Sequence, residues 1–289
     1  MKGSNVPSMS QTRNDLSETR NETLFKERYR GATDAPGSLD NQVLETLLSH
    51  RSVRAYLADP VLEKDIAYAV AAAQSAATSS NLQLWNVITV TDPDRKSRLA
   101  ELSNRQKHIH DAPLLLVWLA DVARLRQVAA FEDHPDEGID YTEIFLTAAL
   151  DAALAAQSAL IAFESMGYGT CYIGSMRSYP LDVAKELDLP PGVFPVFGMT
   201  IGREDAAKAS AIKPRLAQHA VWFREKYDAA SLDKDIGHYN EVLLAFQAEQ
   251  KMAPLSWSQK TSRRIEGPAA LKNRHKLRGY LKEMGFPLK

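Results

Sequence analysis

The sequence predicts a soluble domain that mixes helices and strands, and three observations carry that reading. Apolar residues make up 45% of the 289 and charged residues 25%, the balance of a globular chain with a sizeable core. Stretches with helical spacing alternate with short β-branched or wholly apolar runs. Beyond about Ala217 no second large core is evident, which favours one domain with terminal extensions. Residues 1–39 then form a polar arm or disordered extension, and residues 40–289 a domain that carries a C-terminal extension.

The arm is polar apart from Leu24, Phe25 and Tyr29, and ends in GATDAPGS, whose Gly and Pro punctuate structure. It reads either as disordered or as a segment that packs on another subunit through Phe25 and Tyr29. From Asp40, read as the N-cap, Val43, Leu44, Leu47 and Leu48 fall on one helix face that runs into HRSVR. A second helix starts near Glu63 and runs through an alanine-rich stretch until TSSN breaks it.

WNVITVTD, residues 85–92, reads as a strand, and PLLLVWLAD, 113–121, as a strand buried on both faces. A helix and then a polar loop, which carries Gln106, Lys107 and His108, lie between them. YTEIFLTAALDAALAAQSALIAFESMGYG is the longest helical signal, with a small-residue face and a stop at Gly167. TCYIG is a short strand, VAKELDL a helix, VFPVFGMTIG a strand, and KPRL a loop. Two helical stretches close the chain around YNEVLLAFQAEQ and HKLRGYLKEMGF, separated by MAPLSWSQKTSRR.

Composition narrows the function. A formal net charge of -1 gives no basic excess for nucleic acid or an anionic membrane. No apolar run is expected to reach the roughly 18 residues of a membrane span, and the N-terminus lacks the apolar core of a secretory signal, so the expected compartment is cytoplasmic. Cys171, the single cysteine, cannot form an intrachain disulfide and reads as a small hydrophobe in a strand. Neither GxGxxG nor GxxxxGK[ST] occurs, and no GxSxG elbow surrounds Ser52. HIHD has no matching ligand set to complete a metal site.

Two cationic segments remain. HRSVR places Arg51, Ser52 and Arg54 where a helix gives way, and KPRL sets Lys213 and Arg215 on the same side of an extended loop stiffened by Pro214. Alone, the first reads as a solvated helix end and the second as a surface turn. Together they offer several charge-assisted bonds to one phosphate.

HRSVRAY, TSSNLQLWN, RQKHIHDAP, SMGYG, TCYIGSMR and IKPRL, in that order, resemble the nitroreductase superfamily, most closely its oxygen-insensitive, NADPH-dependent nitroreductase and flavin reductase branch. The resemblance runs from about Asn41 to the C-terminus and weakens after Ala217. It implies an α+β fold with a mostly antiparallel central sheet wrapped by helices, and an intertwined homodimer with FMN at the subunit interface. By the same resemblance His50, Arg51, Ser52 and Arg54 open the FMN site, while Thr78 and Ser80 reach it from the partner chain. Gln106, Lys107 and His108 form the loop approaching the flavin. Tyr172, Ile173, Gly174 and Ser175 line the ring, and Lys213 and Arg215 stand beside the phosphate.

The implied activity is hydride transfer from NADPH, with NADH as the other donor, through FMN to a nitroaromatic, a quinone or a similar small acceptor. The alternatives are a flavin reductase that supplies reduced FMN to a partner protein, and a non-enzymatic FMN sensor. NADPH-preferring relatives carry arginines where this chain reads AEQKMAPLSWSQ. Arg274 matches one such position, and Arg263 and Arg264 are nearby alternatives for the extra phosphate.

Overall fold

A computed structural model describes residues 18–289. The helices are α1 (Arg20–Tyr29), α2 (Gln42–Ser49), α3 (Glu63–Gln74), α4 (Pro93–Leu102), α5 (Lys107–Asp111), α6 (Ala123–Phe131), α7 (Thr142–Ser165), α8 (Pro180–Glu186), α9 (Leu232–Glu249), α10 (Trp257–Ile265) and α11 (Leu277–Glu283). The strands are β1 (Trp85–Val90), β2 (Leu114–Asp121), β3 (Gly169–Ile173) and β4 (Val193–Gly202), in the order β1-β2-β4-β3, with every pair antiparallel. This is the α+β architecture with an antiparallel sheet that the sequence led us to expect.

Strand β2 explains the layering. Its side chains alternate, so Leu114, Leu116 and Trp118 meet α3 and α7 through Ile66, Ala69, Ala155, Ala159 and Phe163. Leu115, Val117 and Leu119 face the other way, onto Leu99 of α4, Ile109 of α5 and Val183 of α8. A run buried on both faces is apolar along its length, which is why PLLLVWLAD shows no polar alternation before its closing Asp121. The small residues of α7 let its backbone lie close to the sheet.

Helix α7 is, among the described residues, the one helix whose length and composition would suit a membrane span, with a mean hydropathy of 1.7 over 18 of its 24 residues, although Asp151 and Gln157 interrupt its apolar run. It nevertheless packs in the core and turns the carboxylate of Asp151 inward. Gly167, at φ 80°, ends it as expected.

Other boundaries differ for physical reasons. Asn41, not Asp40, caps α2 by accepting from the Leu44 N–H at 3.0 Å. The stretch carrying Lys107 and His108, expected as loop, is the short helix α5. Helix α6 was not foreseen, and α10 occupies much of the stretch expected to separate the last two helices, with Ser256 as its N-cap. Leu281, Met284 and Phe286 close the chain against Leu84 and Phe194.

The described part of the N-terminal arm is ordered from Arg20 by α1. Thr19 accepts from the Glu22 N–H at 3.3 Å, and Leu24 and Phe25 are buried, with Asn21 donating to the Asn41 carbonyl at 2.9 Å.

Candidate functional site

Segment 50–57 crosses the open edge of the sheet. The Val53 N–H donates to the Thr170 carbonyl at 2.9 Å, Ser52 bridges Thr170 in parallel, and Tyr56 bridges Glu204. This docking needs Gly169, because a Cβ there would sit 2.6 Å from Val53 Cγ2. Gly169→Ala should therefore destabilise the fold by about 1–3 kcal/mol through overpacking, read as a fall in thermal midpoint. Adding Val53→Ala should recover part of that loss; no recovery would mean that the crowding lies elsewhere.

Once docked, the segment faces the 209–215 loop across a cavity of about 280 Å³ lined by Arg28, His50, Arg51, Ser52, Arg54, Ser210, Lys213 and Arg215, with Phe246 and Met252 at its side. The structure thus brings the two cationic segments together across 160 residues of chain. Lys213 and Arg215 are exposed on either side of buried Pro214. Burial first, and then the charges of Lys260, Arg54 and Arg215, lower the pKa of Lys213 below the ordinary lysine value.

Not all of the cations are equally free. Arg51 pairs with Glu204, whose other oxygen accepts from the Ser210 N–H at 2.8 Å. His50 Nδ1 lies 2.8 Å from Glu164 Oε1, which also accepts from the Thr170 hydroxyl at 2.7 Å. Arg54 has only a long contact, 3.5 Å to the Ser52 carbonyl. Arg54, Lys213 and Arg215 form no carboxylate ion pair among the described residues.

The other predicted residues fall into two groups. Gln106 donates to Ser175 and to the Ser103 carbonyl, tying the α5 entry to the end of β3, where Tyr172 and Ile173 run into Gly174 and Ser175. His108 is half-buried, and burial, followed by the Arg54 charge, lowers its pKa. Its Nε2 is buried without a partner among the described residues. Lys107 instead points to solvent and pairs with Asp111 at 2.5 Å.

Thr78 and Ser80 do not line the cationic cavity. Thr78 Oγ1 donates to Asp151 and accepts from the Gln83 N–H at 2.9 Å, and Ser80 is exposed at φ 49°. Arg274 donates to the Leu271 carbonyl and lines neither this cavity nor its neighbour. That neighbour, about 520 Å³, shares Lys213, Arg215 and Phe246 and adds Tyr239, Trp257, Lys260 and Arg264. Cys171 is buried, which raises its pKa and keeps the thiol protonated at neutral pH.

Sequence reading missed Arg28, Glu164 and Glu204. The first had a signal, since Thr19 and Glu22 form a capping-box pattern before Leu24, Phe25 and Arg28, which share a helix face. The two glutamates had none, because only the fold brings them to His50 and Arg51.

The nitroreductase family matches residues 47–203, and its C-terminal domain matches residues 213–289. An FMN reductase (NADPH) of Bacillus subtilis is 34% identical over 251 residues, 85% of this chain and 98% of that protein. An NADPH-flavin oxidoreductase of Vibrio harveyi is 33% identical, covering 78% of this chain and 92% of that one. Among solved structures, B. megaterium NfrA2 superposes with a TM-score of 0.82 at 35% identity, over 86% of this chain and all of the other.

Proposed function

The chain belongs to the nitroreductase family, and from that premise we propose how its cationic cavity serves a flavin-dependent NAD(P)H oxidoreductase. FMN is the resident group and NADPH the electron donor, the pairing carried by the names of its relatives. The observation that carries the assignment is the excess of cations in one cavity. Arg54, Lys213 and Arg215 face each other without carboxylate partners among the described residues, and a phosphate of nearly two negative charges relieves that repulsion. The buried, unpartnered Nε2 of His108 is a second polar group suited to a ligand.

When bound, FMN supplies the two-electron relay between the pyridine nucleotide and the acceptor, so the two substrates bind in turn. The chain's own residues bind and orient. Arg54, Lys213 and Arg215 hold the phosphate, with Ser52 beside them. Arg51 and His50, held by Glu204 and Glu164, fix the turn from which Ser52 and Arg54 project. Gln106, His108 and residues Tyr172 to Ser175 flank the ring, with Lys107 at the solvent rim.

Thr78 and Ser80 reach the ring of the partner chain in a homodimer. Support for pairing comes from the exposed stripe Leu146, Leu150 and Leu154 on α7 and from exposed Val43 and Leu47 on α2. For the extra phosphate of NADPH, Lys260 and Arg264 stand beside the cationic pair, whereas Arg274 is turned to its own turn.

Anaerobic addition of NADPH should bleach the yellow protein, and an acceptor should restore the colour. Initial-rate lines at several acceptor concentrations should run parallel, as alternating occupation of one face requires. Converging lines would exclude the shared face, and failure of both NADPH and NADH to bleach the protein would leave a flavin sensor. Turnover of free FMN against nitroaromatics and quinones ranks the acceptors, and the flavin-reductase names of the relatives favour free flavin among them.

A further inference from the structure

Helix α1 lies ahead of both segments matched by the family, yet one of its side chains lines the cationic cavity. Arg28 is 6% exposed, and its guanidinium donates to three carbonyls: Leu48 at 2.8 Å, His50 at 2.7 Å and Lys213 at 2.8 Å. Leu48 and His50 belong to the C-terminal end of α2, where carbonyls lack partners within the helix. Lys213 belongs to the opposite wall. The link is two-way, because the Arg28 carbonyl accepts from the Arg215 N–H at 3.1 Å.

One side chain therefore fastens the start of HRSVR to KPRL. A buried guanidinium that meets only carbonyls keeps its full charge, and Arg28 has no ion pair with a carboxylate among the described residues. Burial and the neighbouring Arg215 charge both lower its pKa. The charges of Glu27 and Glu164 act in the opposite direction and are outweighed. The rest of the segment is anchored to the same region: Arg30 pairs with Glu249 at 2.7 Å and stacks over Phe246, and Thr33 accepts from the Gln218 N–H at 3.0 Å.

We propose that Arg28 is a positioning residue for the phosphate cradle, and that docking of α1 and binding of a phosphate-bearing flavin stabilise each other. The proposal rests on the cavity holding the flavin's phosphate. Without a dianion the cavity gathers like charges around a buried cation, which works against keeping α1 docked. With one, Arg28 gains a counter-charge, and the two walls it joins are held at the spacing the phosphate needs. Linkage requires the coupling to act equally in both directions.

Flavin dissociation constants, read by fluorescence quenching, test this on the full chain with FMN and with riboflavin, which lacks the phosphate. Arg28→Met should weaken FMN by about 10- to 100-fold, the range for losing charge-assisted bonds, and riboflavin by far less. Arg28→Lys, which keeps the charge but cannot span three carbonyls, should fall between. A variant that weakens both flavins equally, or neither, would overturn the proposal by making Arg28 merely structural.

Hydrogen exchange on the unmutated protein supplies an arm that needs no variant. FMN should slow exchange across residues 20–29 more than riboflavin does, and equal protection by the two would overturn the coupling. The phosphate reading itself has a separate failure, namely an unmutated protein that binds FMN no more tightly than riboflavin.

Discussion

Replacing Lys213 and Arg215 together by alanine should raise the FMN dissociation constant by about 100- to 10,000-fold while leaving the apo fold intact. Each cation lost removes charge-assisted bonds worth about 1.5–3 kcal/mol. Stability is spared because the loop is held by its backbone. Arg28 takes the Lys213 carbonyl, the Tyr239 hydroxyl donates to the Pro214 carbonyl at 2.8 Å, and the Arg28 carbonyl takes the Arg215 N–H. The Arg215 side chain reaches only the carbonyls of Lys213 and Pro214, at 3.2 and 3.3 Å.

The sign in the apo protein is distinctive. Both cations crowd others in the same cavity, so their removal relieves repulsion and the apo thermal midpoint should hold or rise slightly. The gain in midpoint on adding FMN should shrink, since a ligand at 100 times its dissociation constant stabilises by about 2.7 kcal/mol and one near its constant by far less. Parallel melts of both proteins with and without FMN read both effects. A double variant that purifies with stoichiometric flavin would place the phosphate elsewhere.

The sequence was most legible where a single physical constraint acts on every residue of an element. β4 matches VFPVFGMTIG end to end, and β2 falls within PLLLVWLAD, because burial on both faces keeps the run apolar but for the buried, hydrogen-bonded Thr200 and Asp121. The two cationic walls were legible as residue types, and Pro214 as the stiffener between two outward-facing cations. What sequence spacing could not provide was the partner of each charge. Arg51 and Arg54 look alike in HRSVR, yet only Arg51 meets a carboxylate, on a segment 153 positions away.

Helix α1 failed for a related reason. A ten-residue helix of mostly polar composition has too little apolar surface to be stable alone. Its order comes from Leu24 and from Arg28 reaching into the body of the protein. Helix α5 is shorter still, and its Ile109, packed beneath β2, is what fixes it. In each case tertiary contacts override a weak local signal, and the residue that makes the contact is one of few in the segment.

Asp151→Ala should destabilise the fold by about 3–5 kcal/mol, since three hydrogen bonds to a buried charged group are lost at about 1.5–3 kcal/mol each and only part of that loss is additive. Asp151 is 2% exposed on the sheet-facing side of α7, among residues that include Ala148, Ala152 and Ala155. It accepts from the Thr78 hydroxyl at 2.5 Å and from the N–H groups of Ser79 and Leu84, both at 3.1 Å. Between those anchors Ser80, Asn81 and Gln83 take left-handed conformations, at φ 49°, 57° and 54°, which ordinary side chains adopt only when held. Alanine leaves two buried backbone donors and the Thr78 hydroxyl without an acceptor. The strained turn that presents Ser80 then loses its only carboxylate anchor among the described residues.

Asn at 151 keeps one acceptor oxygen in the same volume but turns an NH₂ toward the remaining donors, so it should lose less than alanine. Thermal denaturation with urea titration reads both variants. At about 2–4 °C per kcal/mol for a chain of this size, the alanine protein should melt about 10 °C lower. A loss below about 1 kcal/mol would mean that water replaces the carboxylate and that the turn is not held by it. The test also separates anchor from cradle, because Asp151 lies on α7 and does not line the cationic cavity. Its loss should lower stability already in the apo protein, whereas the Lys213 and Arg215 pair leaves the apo midpoint in place and changes the gain that FMN confers.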